Sequence, residues 1–289
     1  MINGHRVFDC FSFYNELDML DIRLNVLDEV VDYFVIAESS RTFTGRPKAL
    51  LFNENKKRYK KFLHKIRHIV IDDSEFDKDT EVWQREFDQK NCVLRGLDDC
   101  TENDYIIISD LDEIINPEVI VNFVGRHSNS IGVIEQSCYY YYLNCLSSEV
   151  INVARIAKFN LLKSPQQIRA YPKFSKHSSS KFERNIFKWI GSIRKRLSLL
   201  FGFYQIIENG GWHFTYLKSA DAIRDKIKDF SHTEFDDEEY TSLQSIKSRI
   251  DNLKDPFDRN YHLKKVEINN SYPKYIRDNQ EKYSHLILK

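Results

Sequence analysis

The sequence predicts an α/β protein with one mostly parallel central sheet that is flanked by helices. Short apolar runs rich in β-branched residues alternate with amphipathic segments of helical spacing through the first half of the chain. One of these runs, residues 105–109, leads directly into the acidic triplet Asp110-Leu111-Asp112. With 289 residues the chain is long enough for one large domain of this kind.

The strands and helices of the first half follow in order along the chain. Residues 7–13 are predicted as a strand and 16–31 as a helix, because leucines recur there at helical spacing. A second strand at 33–37 ends at Glu38. The pattern then predicts a helix at 53–63, a strand at 66–71, a helix at 79–97, a strand at 105–109, a helix from 116 and a strand at 131–143. Strands that are joined by helices run parallel, so this alternation predicts a parallel sheet.

The second half of the chain is less regular. One or two strands are predicted at 151–162, a polar loop at 163–188, and charged helices at 221–230 and 236–253. Residues 186–207 mix apolar and basic residues, which fits a helix packed on the sheet or a helix lying on a membrane surface through 186–204. We expect residues 1–235 to form the main domain and 236–289 to form a helical extension packed on it.

Charge and composition exclude several classes of protein. Lys+Arg and Asp+Glu both number 43, so no overall field favours nucleic acid. The first six residues lack the apolar core of a signal peptide, and no run of 18 apolar residues occurs, which predicts a cytoplasmic protein without a transmembrane helix. The five cysteines form no C-x-x-C pair, so neither a zinc knuckle nor a disulfide scaffold is indicated. The oligomeric state stays open.

The acidic triplet is the main candidate for chemistry. Asp110 and Asp112 follow a predicted buried strand, and open α/β sheets bind ligands at the carboxyl ends of their strands. Two carboxylates at that edge suit Mg²⁺ or Mn²⁺ held together with phosphate oxygens. Glu113, directly after Asp112, is either a further carboxylate partner of this site or a solvated cap of the helix that begins at Asn116.

Four segments together carry a resemblance to a known family. They are Phe11 to Asp18, Ala37 to Gly45, Ser109 to Ile114 and Gly210 to Leu217. In this order they resemble glycosyltransferase family 17. The resemblance implies a GT-A-like single domain that transfers a sugar, N-acetylglucosamine by preference, from a UDP-sugar to a glycan hydroxyl. It also implies inversion and dependence on Mn²⁺ (or Mg²⁺). Pro117 stands further from the acidic motif than in the family, and the basic segment 173–196 has no counterpart in it.

The resemblance and the predicted positions of the residues together suggest individual roles. Asp110, Asp112 and His213 are expected to bind the metal, His213 because it follows a predicted Gly210-Gly211 turn. The donor is expected to contact Asp110 together with Asn15, Glu38, Arg41, Lys48 and Arg85. The acceptor is expected to contact Tyr140, Tyr142 and Trp212, although Trp212 fits a core position equally well. Glu208 is the first choice for the base that removes the acceptor proton, with Glu113 and Glu135 as alternatives.

Two other functions fit parts of the pattern. A metal-dependent phosphohydrolase could use Asp110 and Asp112, but it needs a second cluster of carboxylates or histidines for two metals, which the sequence does not offer. A catalytically inactive domain could bind glycans or a partner through its aromatic surface, and its binding would depend on neither nucleotide nor Mn²⁺.

Overall fold

A computed structural model of the chain describes residues 1–72, 76, 80–127, 129–170, 203–229, 231 and 233–289. Its strands are β1 Val7–Phe13, β2 Tyr33–Ser39, β3 Ile66–Ile71, β4 Tyr105–Ile108, β5 Glu113–Ile115, β6 Ile131–Tyr140, β7 Cys145–Ile151, β8 Arg155–Lys158, β9 Tyr204–Thr215 and β10 Leu263–Lys265. Its α-helices are α1 Leu17–Leu27, α2 Leu51–Asn55, α3 Val82–Asn91, α4 Pro117–Phe123, α5 Pro165–Ala170, α6 Ala220–Asp229, α7 Glu238–Thr241, α8 Leu243–Asp251 and α9 Lys274–Asp278.

Half of the sheet is parallel, as the alternation of strands and helices predicted. Strands β3, β2, β1 and β4 lie side by side in that order and all run in the same direction. The core strands β1 and β4 are buried almost throughout, because helices cover both faces of a parallel sheet. The carboxyl ends of these strands therefore meet at one edge.

The other half of the sheet is mixed. Strand β8 runs antiparallel to β4 and β6, and β7 runs antiparallel to β6 and β10. The long strand β9 pairs parallel with β6 and antiparallel with β5. The link from β6 to β7 is too short for a crossover, so this pair must be antiparallel. The predicted α/β class with a large central sheet is confirmed. Four neighbouring strands of the first half are all parallel, and the second half adds only one parallel pair, β6 with β9, among the described strands.

Several predicted elements differ in detail from the structure. The predicted helix at 79–97 becomes α3 followed by a 3₁₀ segment, Cys92–Gly96, where Gly96 lies against β2: a Cβ there would come 2.5 Å from Val35 Cγ1. Part of the predicted loop at 163–188 is helix α5. Apart from residues 203 and 204, the predicted membrane-facing segment 186–204 lies outside the described residues. Across the described ranges no helix is long and apolar enough to span a bilayer.

The C-terminal extension at 236–289 adds more than helices. Its strand β10 pairs with β7 at the edge of the sheet. Near the end of the chain, the backbone N–H of Leu288 donates to Asn144 Oδ1 at 2.7 Å. These contacts tie the extension to β7 and to the segment between β6 and β7.

Candidate active site

A cavity of about 560 Å³ opens at the carboxyl edge of the parallel strands. Ser12 and Phe13 from the end of β1 and Ser39 from the end of β2 line it. Asp110 and Asp112, which follow β4, line it as well. Open α/β sheets bind ligands at this edge, so the acidic triplet lies where the sequence predicted a site.

A buried arginine fixes the backbone of the acidic turn. Arg23 of α1 is fully buried and donates to both carboxylate oxygens of Asp9, at 2.8 and 2.6 Å. The same guanidinium donates to the carbonyl oxygens of Asp110 at 2.7 Å, Leu111 at 3.0 Å and Glu113 at 3.0 Å. Charge-assisted bonds of this kind are stronger than neutral ones, so Arg23 holds the turn against the sheet.

Asp110 is held by two cations from other parts of the chain. Arg169 of α5 contacts both of its oxygens, at 2.6 and 2.9 Å, and Lys90 of α3 approaches to 2.9 Å. Burial opposes ionisation, but these cations outweigh it and hold the pKa of Asp110 well below its usual value. Arg169 also reaches Glu113 Oε1 at 3.0 Å, yet burial raises the pKa of Glu113.

Asp112 lies in a second charged cluster. Its Oδ2 accepts from Lys226 Nζ of α6 at 3.1 Å, and its Oδ1 lies 3.6 Å from His213 Nε2. Lys226 also lies 3.2 Å from Glu16 Oε1, which Lys218 approaches to 3.0 Å. Burial disfavours charge in both Asp112 and His213, but Lys226 and then His213 lower the pKa of Asp112, and Asp112 raises the pKa of His213. For Glu16, burial is likewise outweighed by the two lysines, which lower its pKa to about 2.

Some of the predicted metal ligands are arranged to hold a divalent cation. The carboxylate of Asp112 and the imidazole of His213 face each other across 3.6 Å, and both groups are ligands that Mn²⁺ accepts. Asp110 is instead turned toward Arg169. Within the part of the chain that the structure describes, no cluster of three or more His, Cys, Asp or Glu side chains is arranged to hold a metal. Two of the three predicted metal ligands therefore come together.

Two of the cationic residues that were predicted to bind the sugar donor line the cavity. Arg41 does so while donating to the carbonyl of Gly45 at 2.6 Å. Lys48 lines it with a buried Nζ that finds no hydrogen-bond partner among the described residues. Burial lowers the pKa of Lys48. A buried amine of this kind needs an acceptor, which a phosphate oxygen would supply.

The other residues that were predicted to bind the sugar donor have partners within the protein. Glu38 is fully buried and accepts from the backbone N–H groups of Phe52 and Asn53 at the start of α2, and it lies 2.9 Å from His68 Nε2. We therefore place Glu38 as a helix cap rather than at the donor.

Asn15 and Arg85 likewise fall outside the lining of the cavity as the described residues outline it. Asn15 accepts a hydrogen bond from Lys218, and the buried Arg85 donates to the carbonyl of Phe43 at 3.0 Å.

Only one of the three predicted acceptor residues faces the described cavity, namely Tyr140. Tyr142 is half-buried and packs against an apolar cluster beside β6. Trp212 is buried in the core, and its indole N–H donates to the carbonyl of Ser271 at 2.9 Å. The core alternative for Trp212 is therefore the correct one.

The predicted turn at Gly210-Gly211 is wrong, because both residues lie inside strand β9. A Cβ on Gly211 would come 2.2 Å from the carbonyl oxygen of Ile114, so glycine allows β5 and β9 to pair at this point. Glu208 lies earlier in the same strand, is exposed, and does not line the described cavity. This position is unsuitable for the acceptor base. The alternative Glu135 is also absent from the lining, whereas Glu113 is present.

Sequence reasoning missed several charged residues of the site, among them Glu16, Lys90, Arg169 and Lys226. Arg169 was hidden in a segment predicted as loop, and Lys226 is one of several charges on α6. These residues differ from ordinary surface charges in being largely buried. The local sequence does not indicate that burial.

Comparisons with known proteins support the resemblance. Residues 2–133 match the family model described as Glycosyltransferase family 17. The beta-1,4-mannosyl-glycoprotein 4-beta-N-acetylglucosaminyltransferases of Rattus norvegicus and Homo sapiens are each 32% identical over 116 residues, which is 38% of this chain. The matched stretch spans 21% of the rat protein and 22% of the human one.

Among solved structures, the inositol-1-phosphate CTP transferase from T. maritima matches 74% of this chain and 88% of its own. The TM-score is 0.35 and the sequence identity 8%, too low to support an argument about fold or function. The family match includes the acidic triplet and strands β1 to β4. The predicted resemblance to glycosyltransferase family 17 is thereby confirmed over residues 2–133.

Proposed function

We propose that this protein is a glycosyltransferase that moves N-acetylglucosamine, with inversion, from a UDP-sugar to a hydroxyl group of a glycan. One observation carries the proposal: the Asp110-Leu111-Asp112 triplet, within the family-matched stretch, lines a cavity at the carboxyl edge of the parallel strands. The named relatives, which are N-acetylglucosaminyltransferases, support the choice of sugar.

The chain's own residues divide the work of binding the donor. Lys48 and Arg41 line the cavity beside the ends of β1 and β2 and would bind the diphosphate through charge-assisted hydrogen bonds. Arg169 and Lys90 hold the Asp110 carboxylate in a fixed orientation, which favours a well-defined hydrogen bond to the donor.

Asp112 and His213 are the residues that would hold Mn²⁺ or Mg²⁺. When bound, such an ion supplies positive charge that stabilises the departing diphosphate. Lys226 keeps the Asp112 carboxylate oriented toward the cavity.

Thermal shift and transfer assays test the proposal together. The melting temperature is measured with UDP, UDP-N-acetylglucosamine and other nucleotide-sugars, with and without Mn²⁺, because a ligand that binds the folded state raises stability. We expect a Mn²⁺-dependent increase with UDP and with one UDP-sugar, and UDP release when a glycan acceptor is added.

The opposite results have distinct meanings. Phosphate release from simple phosphate esters would indicate a hydrolase. Glycan binding that ignores both nucleotide and Mn²⁺ would indicate an inactive binding domain. Either result would refute the proposed transfer reaction.

A further inference from the structure

One wall of the cavity is formed by residues that lie outside the family-matched stretch 2–133. It consists of Tyr140 of β6, Tyr216 after β9 and Phe257 of the C-terminal extension, with Glu149 of β7 and Arg259 beside them. The rings of Tyr140 and Tyr216 stack with centroids 6.3 Å apart, and Phe257 meets Tyr216 edge-on at 6.1 Å. Tyr140 and Tyr216 are largely buried and Phe257 is half-buried, so Phe257 offers a sugar ring the most apolar surface of the three.

The strand register places this wall next to the predicted metal ligand. His213 of β9 pairs with Cys138 of β6, and two residues further on Thr215 pairs with Tyr140. Residues two apart in a strand share a face, and His213, Thr215 and Tyr140 all line the cavity. A sugar on the aromatic wall would therefore lie beside the donor end of the site.

Charge balance in the wall fits a neutral sugar. Arg259 pairs with Asp255 at 2.8 Å and with Glu149 Oε1 at 3.4 Å, and it donates to the hydroxyl of Tyr140 at 2.8 Å. The guanidinium is thus neutralised by two carboxylates. An anionic acceptor would find no surplus of positive charge at these residues.

Glu149 is the carboxylate that hydrogen-bonds to a tyrosine of this wall, and the exposed Glu234 also lines the cavity. The Oε2 atom of Glu149 accepts a hydrogen bond from the hydroxyl of Tyr140, which orients the group toward the cavity that both residues line. By contrast, Asp110 and Glu113 are both paired with Arg169. Glu149 therefore lies beside the aromatic wall, where the acceptor would bind, and it is not paired with the cations that hold Asp110.

Asp229 and Glu16 are further lining carboxylates with other partners. Asp229 binds the hydroxyl of Tyr14 and the guanidinium of Arg46, beside the end of β1. Glu16 is enclosed by Lys218 and Lys226. Both belong to the half of the cavity where β1 ends.

We propose that Glu149 is the catalytic base, acting on a neutral acceptor sugar that packs on Tyr140, Tyr216 and Phe257. The inference rests on the proposed transfer reaction. The acceptor O–H bond breaks and its proton passes to Glu149, while the acceptor oxygen forms a bond to C1 of the donor sugar. The bond between C1 and the diphosphate oxygen breaks, and UDP leaves with the electron pair.

The test compares Glu149→Gln with the unsubstituted chain, and Glu102→Gln serves as a control. Glu102 is exposed in the turn before β4 and does not line the described cavity, so the same change there should alter nothing. Loss of a general base lowers rates by about 10²–10⁴-fold, so transfer by Glu149→Gln should fall within that range. The affinity for UDP and the melting temperature should stay unchanged, because the donor contacts are intact.

Azide provides a readout that a purely structural role would not produce. Azide carries no proton to remove, so it should attack C1 in Glu149→Gln and release UDP as fast as it does with the unsubstituted chain. A Glu149→Asp variant should recover part of the transfer rate, because it restores a carboxylate.

Each other outcome has a definite meaning. Normal transfer by Glu149→Gln, or equal loss of transfer, UDP affinity and azide reaction, would overturn the assignment of Glu149 while leaving the proposed function in place. Failure of the unsubstituted chain to transfer sugar from any donor would overturn the proposed function and this inference together.

Discussion

Replacing Arg23 with methionine should destabilise the protein and loosen the acidic turn. The side chain is fully buried and binds both oxygens of Asp9, which is itself fully buried. Removing one partner of a buried ion pair costs about 3–5 kcal/mol, because the other charge is left without compensation. Three carbonyl groups in the acidic turn also lose a donor, at about 1 kcal/mol each.

A double variant separates these two contributions. In Arg23→Met with Asp9→Leu no buried charge remains, and replacement of a buried pair by apolar residues is often close to neutral. The remaining loss of about 3 kcal/mol should then come from the unanchored turn. Arg58→Met is the matched control, because Arg58 pairs with Asp18 at the surface, where such pairs contribute about 0–1 kcal/mol.

The assay is urea unfolding followed by circular dichroism, together with the thermal shift caused by UDP and Mn²⁺. We expect both Arg23 variants to lose most of the UDP-dependent shift, since Arg23 positions the turn that carries Asp110 and Asp112. A loss below about 1 kcal/mol in Arg23→Met would refute the stability argument. Full recovery of the UDP-dependent shift in the double variant would refute the role of the carbonyl bonds.

Further predictions concern four other positions. Asp112→Asn should abolish the Mn²⁺-dependent shift with UDP and sugar transfer, as measured by UDP release; unchanged transfer in a metal-replete assay would contradict the metal role. Glu16 has its pKa lowered to about 2, so its contribution to stability is complete above about pH 4.5 and is lost as the pH falls toward 2. In urea unfolding between pH 6 and pH 3, the free energy of unfolding of Glu16→Gln should therefore fall less with decreasing pH than that of the unsubstituted chain. An identical slope would contradict the ion pairs of Glu16. Gly211→Ala should destabilise by about 1–3 kcal/mol, because its Cβ meets the carbonyl of Ile114; an unchanged unfolding midpoint would show that the two strands can separate at no cost. Glu208→Gln should transfer sugar at the normal rate, and a large loss would restore the original choice of base.

Local patterns determined much of the first half of the fold. Strands β1 and β3 have the predicted bounds. For β1 the reason is that a short, mostly apolar run between turn residues defines a buried strand by itself. The position of Asp110 and Asp112 also followed from the sequence. Parallel strands that are joined by helices bring their carboxyl ends to one edge, whatever the details of packing.

Patterns in the second half were harder to interpret, since the same residues fit two structures. Gly210-Gly211 is typical of a turn, but glycine is also required where two backbones approach closely, and β5 and β9 do so here. The alternation in β6 shows that its tyrosines face two sides without showing which side is the cavity. Tyr140 pairs with Thr215 of β9, which also lines the cavity, whereas β6 ends at Tyr140 and Tyr142 lies beyond it, after Tyr141 with its φ of 65°.

The ion pairs of the site were decided by tertiary structure alone. Asp110 and Arg169 are 59 residues apart in the chain, and Asp112 and Lys226 are 114 residues apart. A lysine or arginine on a charged helix has the same local pattern whether its head group meets water or a buried carboxylate. The sequence by itself determined where the carboxylates lie on the sheet. Only the packing of α3, α5 and α6 over that edge determined which cations bind them, because burial is a property of the whole fold.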